Sequence, residues 1–198
     1  MLSLKAYAGI QNEFIHAVEN NNLTAVKKLL AQGISPDTPN RRGYTPLMIA
    51  ARTKNENLAQ LLLNAGANLN IRNKYGESAI MLASYHGLTD LVKQLYLNGA
   101  IINNNGWNAL LYAASNGHTR ILQLLLDGGA EINSTADNGT TALMMAVRGG
   151  YLKTVELLLN YGADPGTKNE SGDNALHWAL KRNHQKIAGI LRDHGVQE

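Results

Sequence analysis

Six histidines and fifteen carboxylates are the residues with which this chain could do acid–base or metal chemistry. General acid–base work needs a group held within hydrogen-bond reach of the proton it moves. A metal needs its ligands gathered at one point. The spacing supplies neither, because His16, His86, His118, His177, His184 and His194 are dispersed along the chain. His177 and His184 stand seven residues apart, but the apolar pattern puts the first at a helix start and the second in the turn between two helices. His118 follows Gly117 in the equivalent turn of another segment, where an ordinary hydrogen-bonded histidine serves the turn. No H-E-x-x-H, G-x-S-x-G or G-x-x-x-x-G-K pattern occurs. No serine or threonine lies in a motif that would activate it. The expectation is therefore no catalysis, no metal and no cofactor.

Recognition chemistry is better represented. Arg41, Arg42 and Lys74 fall beside turn glycines, and Arg52 and Arg148 fall near the ends of predicted helices on the same expected side. Tyr44, Tyr75, Tyr85 and Trp107 interleave with them. Tyrosine, tryptophan and arginine are enriched at the energetic centres of protein interfaces. The same mixture can stack and neutralise a nucleic-acid strand. Net charge is only +3 and no run of five basic residues occurs, a low density for phosphate binding. A protein partner is the preferred reading. The alternatives are weak nucleic-acid binding by this basic and aromatic face, or a small-ligand or enzyme-like pocket between repeats. Tyr44 and Trp107 directly follow a turn glycine, so both are expected to project into solvent and act as anchors. Tyr112 and Trp178 are expected in the core, and Tyr96 and Tyr161 are expected to pack between neighbouring units at the ends of second helices.

The elements that must hold these residues come from a repeat. Turn glycines stand at 43, 76, 106, 139 and 172, with steps of 33, 30, 33 and 33. A second series, at 33, 66, 99, 129, 162 and 195, steps by 33, 33, 30, 33 and 33. A period between about 20 and 50 residues marks a solenoid. Each unit reads as two amphipathic helices, because apolar residues recur at i, i+3, i+4 and i+7. Thr45, Ser78, Asn108, Thr141 and Asn174 occupy the position before the first helix. Each has a short side chain whose oxygen can accept from a backbone N–H two or three residues on. Pro46 fits the first helical position, where its missing N–H costs nothing. Five residues beyond the cap stands an alanine in each of the later units, at 50, 83, 113, 146 and 179, and Ala17 takes that place in the first. A small side chain at one fixed place predicts that two backbones pass close together there.

The connector between units is ten residues in four cases and seven between Gly99 and Gly106. A shortened projection is expected in 100–105. The first unit lacks a turn glycine, Ile10 standing in its place, and the last second helix carries Lys186, Arg192, Asp193 and His194. Both are expected of terminal caps, which have a neighbour on one side only. Residues 1–9 are expected to be a leader, partly helical at its end. The units then run at about 7–39, 40–72, 73–102, 103–135, 136–168 and 169–198, in one continuous array with no separate cores.

No apolar stretch approaches the 18 residues of a membrane span, and the start has no long apolar core or cleavage site. The chain has no cysteine, which excludes disulfides and thiolate zinc sites and leaves the compartment open. A cytoplasmic protein is the simplest reading, with an exported mature form left open.

Gly43-Tyr44-Thr45-Pro46-Leu47 resembles the opening motif of the ankyrin repeat. Leu61-Leu62-Leu63-Asn64-Ala65-Gly66-Ala67 and Leu124-Leu125-Leu126-Asp127-Gly128-Gly129-Ala130 resemble its closing motif. The histidine of the family's opening motif is kept only at His177, with Met48, Met81, Leu111 and Met144 at the equivalent places, and the proline is kept only at Pro46. The resemblance covers roughly residues 7–196. It implies an all-α solenoid of six stacked helix-turn-helix units with short β-hairpin-like finger loops, and a concave face formed by finger tips and first helices. It also implies a monomer that binds another protein and does not catalyse.

Overall fold

The computed structural model describes residues 4–196. Among them are twelve α-helices, no strand, and one isolated antiparallel bridge between Thr135 and Thr141. The chain divides into two compact units, one ending at Ala100 and one beginning at Ile101. The boundary falls in the connector that is three residues short.

The first unit holds α1 (Leu4–Glu19), α2 (Leu23–Ala31), α3 (Pro46–Arg52), α4 (Glu56–Asn64), α5 (Ala79–Tyr85) and α6 (Thr89–Leu97). They pack as the pairs α1 with α2, α3 with α4 and α5 with α6, and α3 also packs on α1 and α5. Residues 4–9 of the expected leader belong to α1 and run directly into it, while residues 1–3 and 197–198 lie outside the described residues. The second unit holds α7 (Ala109–Ser115), α8 (Thr119–Asp127), α9 (Ala142–Gly149), α10 (Leu152–Asn160), α11 (Ala175–Lys181) and α12 (Gln185–Asp193). Here α9 packs on both α7 and α11, and α10 packs on α8 and α12.

Burial explains why these short helices exist at all. Helices of seven to nine residues are marginal by themselves, and tertiary packing of an apolar face must stabilise them. Leu47, Leu58, Leu62 and Ile80 are fully buried in the first unit, and Leu111, Leu122, Leu125 and Leu158 in the second. All six repeat-position alanines are buried, five of them completely, where the close approach of helices was expected.

The caps form largely as the sequence reading requires. Thr45, Asn108, Thr141 and Asn174 accept from the N–H groups of Met48, Leu111, Met144 and His177 at 2.9–3.3 Å. Ser78 has the same extended backbone, but its buried hydroxyl makes no hydrogen bond. At three caps the third helical residue returns a bond to the cap N–H, which makes those at Thr45 and Asn174 reciprocal. His177 Nδ1 accepts from Asn174 N–H at 3.2 Å. At two of the three places where methionine replaces that histidine, sulfur takes over its acceptor role: Met48 Sδ accepts from Thr45 N–H at 3.4 Å and Met81 Sδ from Ser78 N–H at 3.3 Å. The substitution thus keeps the capping function while adding an apolar side chain to the core.

The fingers are tight backbone turns. In four of them the glycine N–H donates three residues back, and the residue at that point donates to the carbonyl that follows the glycine: Asn40 with Tyr44, Asn73 with Glu77, Ala136 with Thr140 and Asn169 with Asp173, at 2.9–3.0 Å. The short connector makes neither bond. Its missing residues can be located. Asp37 and Asn133 each accept from a backbone N–H in the following repeat, that of Asn68 and that of Asp164. Asn103 does the same with Glu131 N–H and also donates to Gly129 O. Asn103 therefore keeps the rung at the base of the finger, and the three lost residues come from the tip between it and Gly106.

Candidate recognition surfaces

In the first unit the repeat brings Tyr44 and Glu77, 33 residues apart, onto adjacent rungs. The Tyr44 hydroxyl donates to Glu77 Oε2 at 3.2 Å, and Asn73 Nδ2 donates to the same oxygen at 2.7 Å. Arg52, at the end of α3, lies over the Tyr44 ring with its guanidinium carbon 4.4 Å from the centroid. Tyr75 approaches the ring from the neighbouring finger, centroid to centroid 6.3 Å.

These contacts overturn one expectation. Tyr44 does not project into solvent. It is 8% exposed, because Arg52 covers it and Glu77 ties down its hydroxyl. Burial, and then the Glu77 carboxylate, raise the Tyr44 phenol above its ordinary 10.0, while Arg52 opposes the shift. Tyr75 is the exposed aromatic here, at 70%. Arg41, Arg42, Arg52 and Lys74 are exposed, and Tyr85 is 44% exposed with its ring edge-on to His86. Arg41, Arg42 and Arg52 line one open groove of about 670 Å³ with residues of α1.

The second unit carries its own, smaller set. Trp107 is 37% exposed and packs on Tyr112, with ring centroids 5.0 Å apart. Arg148, exposed at the end of α9, lies 5.9 Å from the Trp178 ring centroid. Trp178 in turn donates from its indole nitrogen to Asp173 Oδ2 at 3.2 Å. The sequence reading expected Tyr112 and Trp178 in the core, and neither is there. Both are half-buried, since each lies on the side of its first helix that faces the finger rather than the paired helix. Tyr161 does reach the preceding repeat, donating to Asp127 Oδ1 at 2.6 Å, but it stays exposed.

Sequence reasoning missed Glu77, Asn73 and Asp173, the acceptors and donors that orient the aromatic residues. The signal was available, for Tyr44, Glu77, Trp107 and Asp173 all follow a turn glycine and so share one rung position. Among the described residues no group of three or more potential metal ligands comes together. No described helix is long and apolar enough to cross a membrane.

A family model of ankyrin repeats matches this chain in overlapping spans over residues 14–105, 65–136, 80–169 and 134–198. An ankyrin repeat protein of Rickettsia bellii is 32% identical over 129 residues, 63% of this chain and 18% of the relative. The ankyrin repeat and SAM domain-containing protein 6 of Rattus norvegicus is 33% identical over 128 residues, 61% of this chain and 14% of the relative. The nuclear factor NF-kappa-B p105 subunit of the same animal is 34% identical over 110 residues, 51% of this chain and 11% of the relative. The matched part is thus less than a fifth of each of these relatives. Ankyrin repeats are in general protein–protein interaction modules and typically not catalytic ones. With matches that reach from residue 14 to residue 198, this chain belongs to the ankyrin-repeat family.

Proposed function

We propose that the chain is a non-catalytic module that binds another protein through the finger and first-helix face of its first unit. One observation carries the reading. Tyr75 is 70% exposed with its ring 6.3 Å from that of Tyr44, on which Arg52 lies, and Arg52 shares one groove with the exposed Arg41 and Arg42. An exposed large aromatic among arginines is the composition of an interface centre. Helices and hydrogen-bonded turns hold these side chains in place before a partner arrives, so little ordering entropy opposes binding. Lys74 and Tyr85 flank this face. Trp107 and Arg148 lie on the second unit and are proposed as further contacts for a protein.

Affinity capture from an extract of the native host tests the reading. The double variant Tyr75→Ala with Arg42→Ala should keep its far-ultraviolet circular dichroism and lose most of the captured partner. The double variant Trp107→Ala with Arg148→Ala asks the same of the second unit. Unchanged capture by the first double variant refutes the assignment of this face. A metabolite that raised the melting temperature by several degrees would instead support a small-ligand pocket, because a ligand that binds only the native state stabilises it by mass action.

A further inference from the structure

The groove of the first unit has a chemistry more specific than a general protein surface. One wall is α1, which presents Gln11, Asn12 and Ile15, and the other is the finger with Arg41 and Arg42 and the end of α3 with Arg52. Three guanidinium groups therefore face one carboxylate in the lining, that of Glu19, and Glu19 accepts a hydrogen bond from Asn40 Nδ2 at 3.1 Å. The side chains of Arg41, Arg42 and Arg52 make no ion pair or hydrogen bond with another described residue, so their donors are available.

Arg52 is the informative member. All five guanidinium donors lie in one plane. The Tyr44 ring, 4.4 Å from the guanidinium carbon, anchors the group by a cation–π contact that uses none of its N–H donors in a hydrogen bond to an oxygen or nitrogen. The ring that fixes it is itself fixed, since its hydroxyl is held by Glu77 and Glu77 is held by Asn73. A guanidinium held in place this way keeps its donors for a two-point hydrogen bond to a carboxylate. Arg41 and Arg42 add positive charge along the same groove, and the amides of Gln11 and Asn12 can meet a peptide backbone with both donors and acceptors.

We propose that this groove takes an acidic peptide segment of the partner, with a carboxylate on Arg52 and further carboxylates on Arg41 and Arg42, and with Tyr44 as a positioning residue. The inference rests on the protein-binding reading and narrows its partner to a chain with clustered Asp or Glu. It also explains why Tyr44 is buried although it follows a finger glycine: it serves the arginine rather than touching the partner.

Fluorescence anisotropy with a labelled ten-residue peptide of alternating Glu and Ala tests it on the full chain. The same peptide with Gln for Glu is the control. The Glu peptide should bind saturably and weaken as salt rises, and the Gln peptide should not bind. Arg52→Gln, and separately Arg41→Gln with Arg42→Gln, should each weaken binding about tenfold or more, as expected for the loss of a hydrogen-bonded charge pair. Tyr44→Phe keeps the ring and loses only its tie to Glu77, so it should weaken binding far less than Tyr44→Leu, which should lose affinity with Arg52 still present. Circular dichroism on each variant confirms folding. Equal binding of the Gln peptide, or full affinity in Arg52→Gln, overturns the inference. So does displacement of the peptide by oligo(dT) at equal charge, which would assign the groove to nucleic acid. If neither peptide binds while capture of the host partner still depends on Tyr75, the acidic ligand is wrong and the protein-binding reading stands. If the Glu peptide binds through the arginines while capture ignores this face, the groove chemistry stands and the proposed function falls.

Discussion

Gly139→Ala and Gly172→Ala form a matched pair that measures how much one finger stabilises the next. The two glycines are 33 residues apart at the same rung, with φ of +76° and +78°. Each donates its N–H three residues back, to Ala136 O and Asn169 O at 2.9 Å. Alanine in this left-handed region costs about 1–2 kcal/mol, offset in part by about 0.4–1 kcal/mol because alanine restricts the unfolded chain. Gly172→Ala should therefore destabilise by about 1 kcal/mol, since a Cβ there meets nothing within 4 Å. At Gly139 a Cβ would stand 3.1 Å from Asn169 Cα and 3.4 Å from the Glu170 nitrogen. That neighbour is backbone and cannot rotate aside. It is also tied to the finger through the Glu170 N–H, which donates to Asn138 O at 3.0 Å, so retreat would break this bond. Overpacking of this kind adds about 1–3 kcal/mol. Gly139→Ala should thus be the more damaging by about 1–3 kcal/mol. Urea unfolding followed by far-ultraviolet circular dichroism reads the difference, provided the slope with denaturant is unchanged. Equal midpoints for the two variants would show that the fingers give way at no cost, and would refute the view that finger stacking contributes to stability.

Two further outcomes check the core and the buried tyrosine. Ala113→Leu enters a site with no exposure and should cost about 1–3 kcal/mol, whereas Asn104→Ser, in the short finger, should stay within about 0.5 kcal/mol; similar thermal midpoints would mean that core and tip are misplaced. The Tyr44 phenol is raised by burial and by Glu77, so its contribution to stability is complete below the unfolded value of about 10 and is lost as pH rises through the higher folded value. Tyr44→Phe cannot ionise and should show a shallower loss of stability in that alkaline range; Tyr161, raised chiefly by its hydrogen bond to Asp127, is present in both proteins and cancels in the comparison.

The repeat made much of the fold legible. A cap residue, an alanine five positions later and a leucine run are local requirements of a helix start, a close crossing and a buried stripe. Each recurs in several copies, so chance agreement at Thr45 is corrected by Asn108, Thr141 and Asn174. The recognition surface was less legible, because a rung position states where a side chain begins and not what covers it. Tyr44 and Trp107 occupy the same place after a turn glycine, yet one is buried and the other is 37% exposed. What separates them is the neighbouring rung and the end of the first helix. Tyr44 meets Glu77 and Arg52, while Trp107 leans back on Tyr112 of its own repeat.

The sequence by itself determined the period, the helix starts, the inward face and the family, since all of these follow from short-range capping and apolar spacing repeated along the chain. Only the tertiary structure decided that methionine sulfur replaces an imidazole at two caps, that the three missing residues come from a finger tip, and that Arg52 rather than Tyr44 faces the groove. The methionine caps join residues only three apart, but the finger base and the Tyr44–Glu77 pair that supports Arg52 join residues about 30 positions apart, and in every case burial and competing partners decide which contact forms. Spacing along the chain carries no information about which of them wins.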